Sequence, residues 1–401
     1  MEQESEYKNT AVIGLGAAGG LVSVLLSKNP CLNITAFDVK EPFSSLLPTG
    51  GGRCNITYDE DDVREFVKNY PRGNKFLLSV FSRFGQKQTR KLFADLGVKT
   101  YVQADNRVFP VTDSAAKTIL TLKKHLETSN FTFRKERVTQ VTKNTRNFTV
   151  NTEKSMYNFD AVIIASGGKS NGFDIARSLG HKIIDVKPSL TALDIKEKNF
   201  YKLTGLSFKN AKAQIMGRKK KYPACIGDLL ITHRSLSGPI IFKVSALSAY
   251  EDITSENPLK IVLKTTDFSN EDIEEEIKNN SKKSVKNIFS KFAPESFINE
   301  ILSLNNIESN KQAAQLKKTE REIITKSLNG LELNVINRIK NSEIITAGGV
   351  DLNEVNSKTM ESKLVNGLFF AGEILNIDGF TGGFNLQSAW STAYIVSTNF
   401  N

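Results

Sequence analysis

Two rhythms of apolar and polar residues divide the chain. Residues 9–13 (NTAVI) are a short unbroken apolar run of the kind that a strand buried on both faces shows. After a glycine-rich turn, Leu21, Val22, Val24, Leu25 and Leu26 suit a buried helix, and residues 33–39 (NITAFDV) give a second strand. Residues 159–165 (FDAVIIA) repeat the first pattern and run into Ser166-Gly167-Gly168. Residues 368–370 (LFF) do so again, ahead of Ala371-Gly372-Glu373, and the stretch SAWSTAYIVS predicts a last helix. From 189 to 267 the pattern turns to alternation (Leu190, Ala192, Leu193, Ile195; later KIVLKTTDF), which favours short strands. Over 270–330 charge-rich faces recur at helical spacing.

These elements predict a discontinuous α/β domain over 1–188 and 341–401, a β-rich insertion over 189–269 and a helical subdomain over 270–340. A chain of 401 residues holds two or three units at roughly 150 residues each. Its 39% hydrophobic content supplies a sizeable core and excludes a disordered or fibrous chain. Lysine and arginine number 54 against 43 acidic residues, a formal charge of +11 that admits nucleic acid, an acidic membrane or an anionic nucleotide as partner. The basic clusters, Arg218-Lys219-Lys220-Lys221, Lys282-Lys283 and Lys317-Lys318, are separated and not interleaved with aromatics, so they read as solvated faces. Cys31, Cys54 and Cys225 are too few and scattered for a disulfide framework or a zinc site, and no metal ligand set is expected. With no signal-type start and no run of 18 apolar residues, the expectation is a soluble, cytoplasmic protein without a membrane span.

The first turn carries chemistry. Gly14-Leu15-Gly16-Ala17-Ala18-Gly19 is a G-x-G-x-x-G between strand and helix, and Asp38 ends the next strand 19 positions beyond Gly19. In such a unit Gly14 permits the tight turn, Gly16 lets the backbone approach a pyrophosphate, and Gly19 lets helix and strand lie close. Free N–H groups at the helix start favour the phosphate charge, and an aspartate accepts hydrogen bonds from a ribose diol. Regular βαβ repeats do not follow. Instead PFSSLLPTGGGRCNIT (42–57) offers three consecutive glycines whose backbone can lie flat on a planar ligand.

Taken together, GLGAAG, TGGGRCNIT, NRVFPVTDSAAKTI, DAVIIASGGKS, SLGHKI, THRSLSGP and TAGGVDLNEVNSKTMESKLVNGLFFAGEILNIDGFTGGFNLQSAW resemble, in order and over nearly the whole chain, the YhiN/BaiN-like family of NAD(P)/FAD-dependent oxidoreductases, which includes an aminoacetone oxidase. The resemblance implies a Rossmann-like FAD-binding domain of the two-dinucleotide-binding-domain type, interrupted by a β-barrel-like insertion with a helical subdomain. By similarity Gly14, Gly16, Ala17, Ala18 and Gly19 hold the pyrophosphate of FAD and Asp38 its ribose. Gly51, Gly52, Arg53, Cys54 and Asn55 would lie along the flavin ring and ribityl chain, and Val138 would meet the adenine through its backbone. Ala165, Ser166 and Gly167 would pass the nucleotide, with serine where the family has threonine. Gly372 and Glu373 would contact the ribityl–phosphate region, and the amides of Gly383, Phe384 and Asn385 would face flavin N1 and O2, where reduced flavin carries negative charge.

No second cysteine stands at C-x-x-C spacing from Cys54, so it reads as packing beside the flavin and not as a redox thiol. His125 lies in a polar helix and is expected to be solvated; His181 reads as a helix cap. His233, in the Thr-His motif, is a weak candidate for a general acid, and no catalytic residue is otherwise named. The chain departs from the family in lacking most of the loop after Gly-Gly-Lys-Ser: Ser170 leads almost directly to a helix at Asp174. The usual lysine before the triple glycine is also absent. The expected activity is hydride transfer between a small organic substrate and FAD, with NAD(P)H as a transient donor. An O₂-using oxidase of a small amine and an RNA-associated flavoprotein are the alternatives.

Overall fold

The computed structural model describes residues 8–266, 268–340, 342 and 344–400. The chain divides into two compact units, one made of the residues up to Lys187 together with those from Ile345 onward, the other of Pro188–Ile344.

The first unit is built on five parallel strands, in the order Leu368–Phe370, Ala161–Ile164, Asn9–Ile13, Asn33–Phe37 and Phe131–Arg134. Strands Asn9–Ile13, Ala161–Ile164 and Leu368–Phe370 are almost wholly buried, which explains their apolar sequence. The register puts Ile13 opposite both Phe37 and Ile164, Ile164 opposite Phe370 and Phe37 opposite Arg134. Four chain segments therefore leave the sheet at one level, and the turns that follow them, at Gly14, Asp38, Ala165 and Ala371, share the carboxyl edge of the sheet. Open α/β sheets bind ligands along that edge. The helices Ala17–Leu26 and Phe384–Ser397 both approach Gly372, where an added Cβ would lie 2.8 Å from the Cβ of Ala18 and 3.9 Å from that of Ala389. A three-stranded antiparallel sheet of Thr57–Tyr58, Arg107–Pro110 and Thr100–Val102 carries the segment that follows the triple glycine, and a second one spans Val138–Lys143, Phe148–Thr152 and Met156–Phe159.

In the second unit six antiparallel strands close a barrel, in the order Leu193–Ile195, Leu236–Ser237, Cys225–Ile231, Ser207–Met216, Leu259–Lys264 and Leu331–Arg338. Phe208, Ala211, Ala213 and Ile215 alternate inward, and the core continues into helices Asn270–Asn279, Val285–Phe289, Glu295–Leu304 and Lys318–Gly330. Two stretches differ from the sequence pattern. Residues Leu331–Arg338, which fall in the expected helical subdomain, are the strand that closes the barrel. Within the expected strand region, Pro239–Leu247 is a helix, started by Gly238 at φ 95° with proline in its first turn.

Candidate functional site

The register brings the sequence-named turns together. Gly14 has φ 92°, and a Cβ there would meet the Ser166 Cα at 2.5 Å, so the first turn rests directly on the third. At Gly19 a Cβ would lie 1.9 Å from the Gly14 carbonyl oxygen, which seats the helix start on the turn. Gly16 is different. Its φ of −67° suits any residue, and an added Cβ would meet only the movable Ser45 hydroxyl, at 3.1 Å. Backbone conformation does not require glycine there, and the only neighbour an added Cβ would press on is a side chain that can turn away. Asp38 accepts from the N–H of Leu15 (2.7 Å) through Oδ2 and from that of Lys40 (2.9 Å) through Oδ1, so its carboxylate is fixed against the turn with lone pairs left for hydroxyl groups.

The triple-glycine segment makes a left-handed corner. Gly51 and Gly52 have φ 68° and 84°, with open space where a Cβ would stand. Arg53 stacks its guanidinium 4.0 Å from the centre of the Phe109 ring and donates to the Gly50 carbonyl at 3.3 Å. The Gly52 carbonyl accepts from the N–H of Ala115 (2.9 Å), which is why TGGGRCNIT and NRVFPVTDSAAKTI form one structural piece. Cys54 is fully buried, and burial pushes its thiol up to about 12, which leaves it protonated and unreactive.

Two buried oxygens at named positions lack a hydrogen-bond partner in the structure, Asn55 Oδ1 and Ser166 Oγ. Asn55 Oδ1 lies 2.9 Å from where a Cβ of Gly383 would stand, facing the start of helix Phe384–Ser397. Gly167 has φ 76° and nothing within 4 Å of its Cβ position. Open space at Gly167, with the unpartnered Ser166 hydroxyl next to it in the chain, fits a polar ligand such as a dinucleotide.

Other named residues have structural duties as well. The Asn385 side chain is spent locally, accepting from the N–H of Gly379 (2.7 Å) and donating to its carbonyl (2.8 Å). Burial raises the Glu373 carboxyl above the usual carboxylate range, against hydrogen bonds from the N–H (2.8 Å) and hydroxyl (3.0 Å) of Thr346. The Val138 carbonyl accepts from Asn171 Nδ2 at 2.7 Å. Asn171 reaches it because the shortened loop is tight, with Ser170 Oγ donating to the Gly167 carbonyl (3.4 Å) and accepting from the N–H of Gly172 (3.2 Å).

The histidines separate. His125 is half-buried with Nε2 3.0 Å from the Leu96 carbonyl oxygen, and not simply solvated, because the end of its helix packs on that chain segment. His181 is buried edge-on against Phe370, with Nε2 2.8 Å from Ser362 Oγ, and desolvation lowers its pKa. His233 is exposed, in the turn between strands Cys225–Ile231 and Leu236–Ser237 of the barrel unit.

Residues 8–399 match the HI0933-like protein Rossmann domain family. The chain belongs to that family. Among its relatives, the HI0933-like chain is 28% identical to the 3-dehydro-bile acid delta(4,6)-reductase of Clostridium scindens, over 96% of its own length and 97% of the relative's. It is also 28% identical to the ribosomal RNA dihydrouridine synthase of Escherichia coli, over 97% of each chain. Among solved structures, an E. coli quinol fumarate reductase variant aligns over 97% of this chain and 69% of its own, at 12% identity and a TM-score of 0.49. No helix among the described residues is long and apolar enough to cross a membrane.

Sequence reasoning left out Asn171, Thr346, Arg72 and Asp378. The last two form a buried bidentate ion pair beside the turn that opens helix Phe384–Ser397. Thr346 and Asp378 lie in the C-terminal motif, but nothing in the sequence around Arg72 marks it as the partner of Asp378.

Proposed function

We propose that this protein reduces a carbon–carbon double bond conjugated to a carbonyl in a small organic substrate, with NAD(P)H as electron donor. That it is an FAD-dependent oxidoreductase accords with its family and with the dinucleotide turn at the sheet edge. The observation that carries the reading is Gly16, a glycine with ordinary backbone angles whose Cβ position meets only the Ser45 side chain, at the start of a helix whose N–H groups favour a diphosphate. When bound, FAD would supply two-electron chemistry, the capacity to take a hydride from NAD(P)H and to give one to an electron-poor carbon. Asp38 would hold the ribose, Gly51 to Asn55 the edge of the ring, and the amides of Gly383, Phe384 and Asn385 the N1/O2 edge that becomes negative on reduction.

The names of the two relatives support the type of bond. A delta(4,6)-reductase of a 3-dehydro compound and a dihydrouridine synthase both saturate C=C bonds conjugated to a carbonyl. The second name also favours an RNA uridine as an alternative substrate. The test is anaerobic mixing of the purified yellow protein with NADH or NADPH. Bleaching of the flavin by one of them is expected, followed by reoxidation on adding an enone or a uridine-containing RNA. No bleaching by either nucleotide overturns the reductase reading and leaves the amine oxidase in its place. Reoxidation by RNA but by no enone would move the substrate to nucleic acid, and the rate should then fall steeply with salt.

A further inference from the structure

The turn between Ile377 and Asn385 is gripped by a segment remote in sequence, residues 69–73. Phe380 donates its N–H to the Asn69 carbonyl (2.8 Å), and Tyr70 donates its hydroxyl to the Phe384 carbonyl (2.6 Å). A Cβ at Gly73 would lie 2.7 Å from Ile377 Cγ1, and the Arg72 guanidinium binds both oxygens of Asp378. Asp378 is fully buried and Arg72 nearly so. Clamping alone does not ask for charge, since an apolar pair holds a turn without the desolvation that two buried ions suffer.

The position of the carboxylate gives the charge a purpose. Asp378 directly precedes Gly379, whose N–H is bonded to Asn385 in the first turn of helix Phe384–Ser397. An uncompensated carboxylate there would cancel the positive potential of the helix start. The unpartnered, buried Asn55 Oδ1 facing Gly383 independently marks the same helix start as a place where ligand polar atoms are met. We infer that Arg72 is a positioning and charge-compensating residue: by neutralising Asp378 it keeps the amides of Gly383, Phe384 and Asn385 electropositive toward the flavin and thereby sets the reduction potential of bound FAD. This rests on the flavin placement proposed above.

The experiment is a dye-equilibrated anaerobic reduction of the holoprotein and its variants. Arg72→Gln is expected to disfavour reduced flavin by about tenfold, which for a two-electron couple is about 30 mV downward. Asp378→Asn should shift the potential upward, and the double variant R72Q/D378N should return close to the parent. Opposite-signed shifts with recovery in the double variant support the inference. Shifts of one sign, or none in protein that stays yellow, overturn it and leave Arg72 a structural clamp. Should Arg72→Gln fail to fold, Asp378→Asn decides alone: an upward shift supports the inference, and an unmoved or lowered potential overturns it. Parent protein that carries no FAD overturns the functional reading and this inference together, whereas yellow variants with unmoved potentials overturn this inference only.

Discussion

A glycine is informative where nothing in the protein needs it. Gly14 and Gly19 are fixed by contacts with backbone atoms, so replacing either disturbs the fold itself. Gly16 is fixed by none, so Gly16→Val should keep the thermal transition of the apoprotein yet weaken FAD binding by well over tenfold, which is more than about 1.4 kcal/mol. Absorbance of the purified variant reads this directly, and a fully yellow Gly16→Val protein would refute the assignment. The cysteines differ by burial in the same residue-by-residue way. Cys31 is exposed, while burial raises the thiols of Cys54 and Cys225. One rapidly reacting thiol per native chain is expected with an aromatic disulfide reagent, and none in Cys31→Ser. At this scale the sequence was legible where a residue type has one physical use, as at the tight turn of Gly14 and the close helix–strand approach of Gly19. It was silent on Arg72 and Asn171, whose use depends on what folding brings beside them.

Among the elements, helix Phe384–Ser397 shows what a buried polar face is for. Gln387 accepts from the Thr57 hydroxyl (2.6 Å) and donates to the Thr89 (2.8 Å) and Ser391 (2.8 Å) hydroxyls, while Trp390 donates to the Ile56 carbonyl (3.0 Å). The helix is thereby locked to the segment that follows the triple glycine. Gln387→Leu orphans those hydroxyls and should cost about 1–3 kcal/mol in urea unfolding. His181 couples its helix end to Ser362 in a way that pH can read. Its folded pKa lies below the unfolded value of about 6.5, so the unfolded chain takes up the proton first as pH falls. Stability should therefore rise with pH through the interval between the depressed pKa and about 6.5, and His181→Gln should flatten that interval. The sheet strands were legible because both their faces are buried. The helix Pro239–Leu247 was not, since a short apolar run fits strand or helix alike, and strand Leu331–Arg338 directly continues a helix with no break in the pattern that marks the change.

On the scale of the molecule, the barrel unit is one uninterrupted stretch of chain with its own core, and its ends meet: the N–H of Ile344 bonds to the Leu190 carbonyl at 3.4 Å. Residues 188–344 produced alone should give a cooperative thermal transition, and a broad, non-cooperative melt would show that the core depends on the other unit. The sheet of the first unit has the opposite character. Its strand Leu368–Phe370 and the turn at Gly383 belong to chain made after the whole barrel unit. During synthesis strand Ala161–Ile164 must therefore wait with one edge unpaired while the barrel unit is translated. With FAD held at the carboxyl edge of the sheet as proposed, its site is complete only once the last strand and helix are made, so riboflavin shortage should act on this protein as a folding defect in newly made chains sooner than as a loss of activity in old ones.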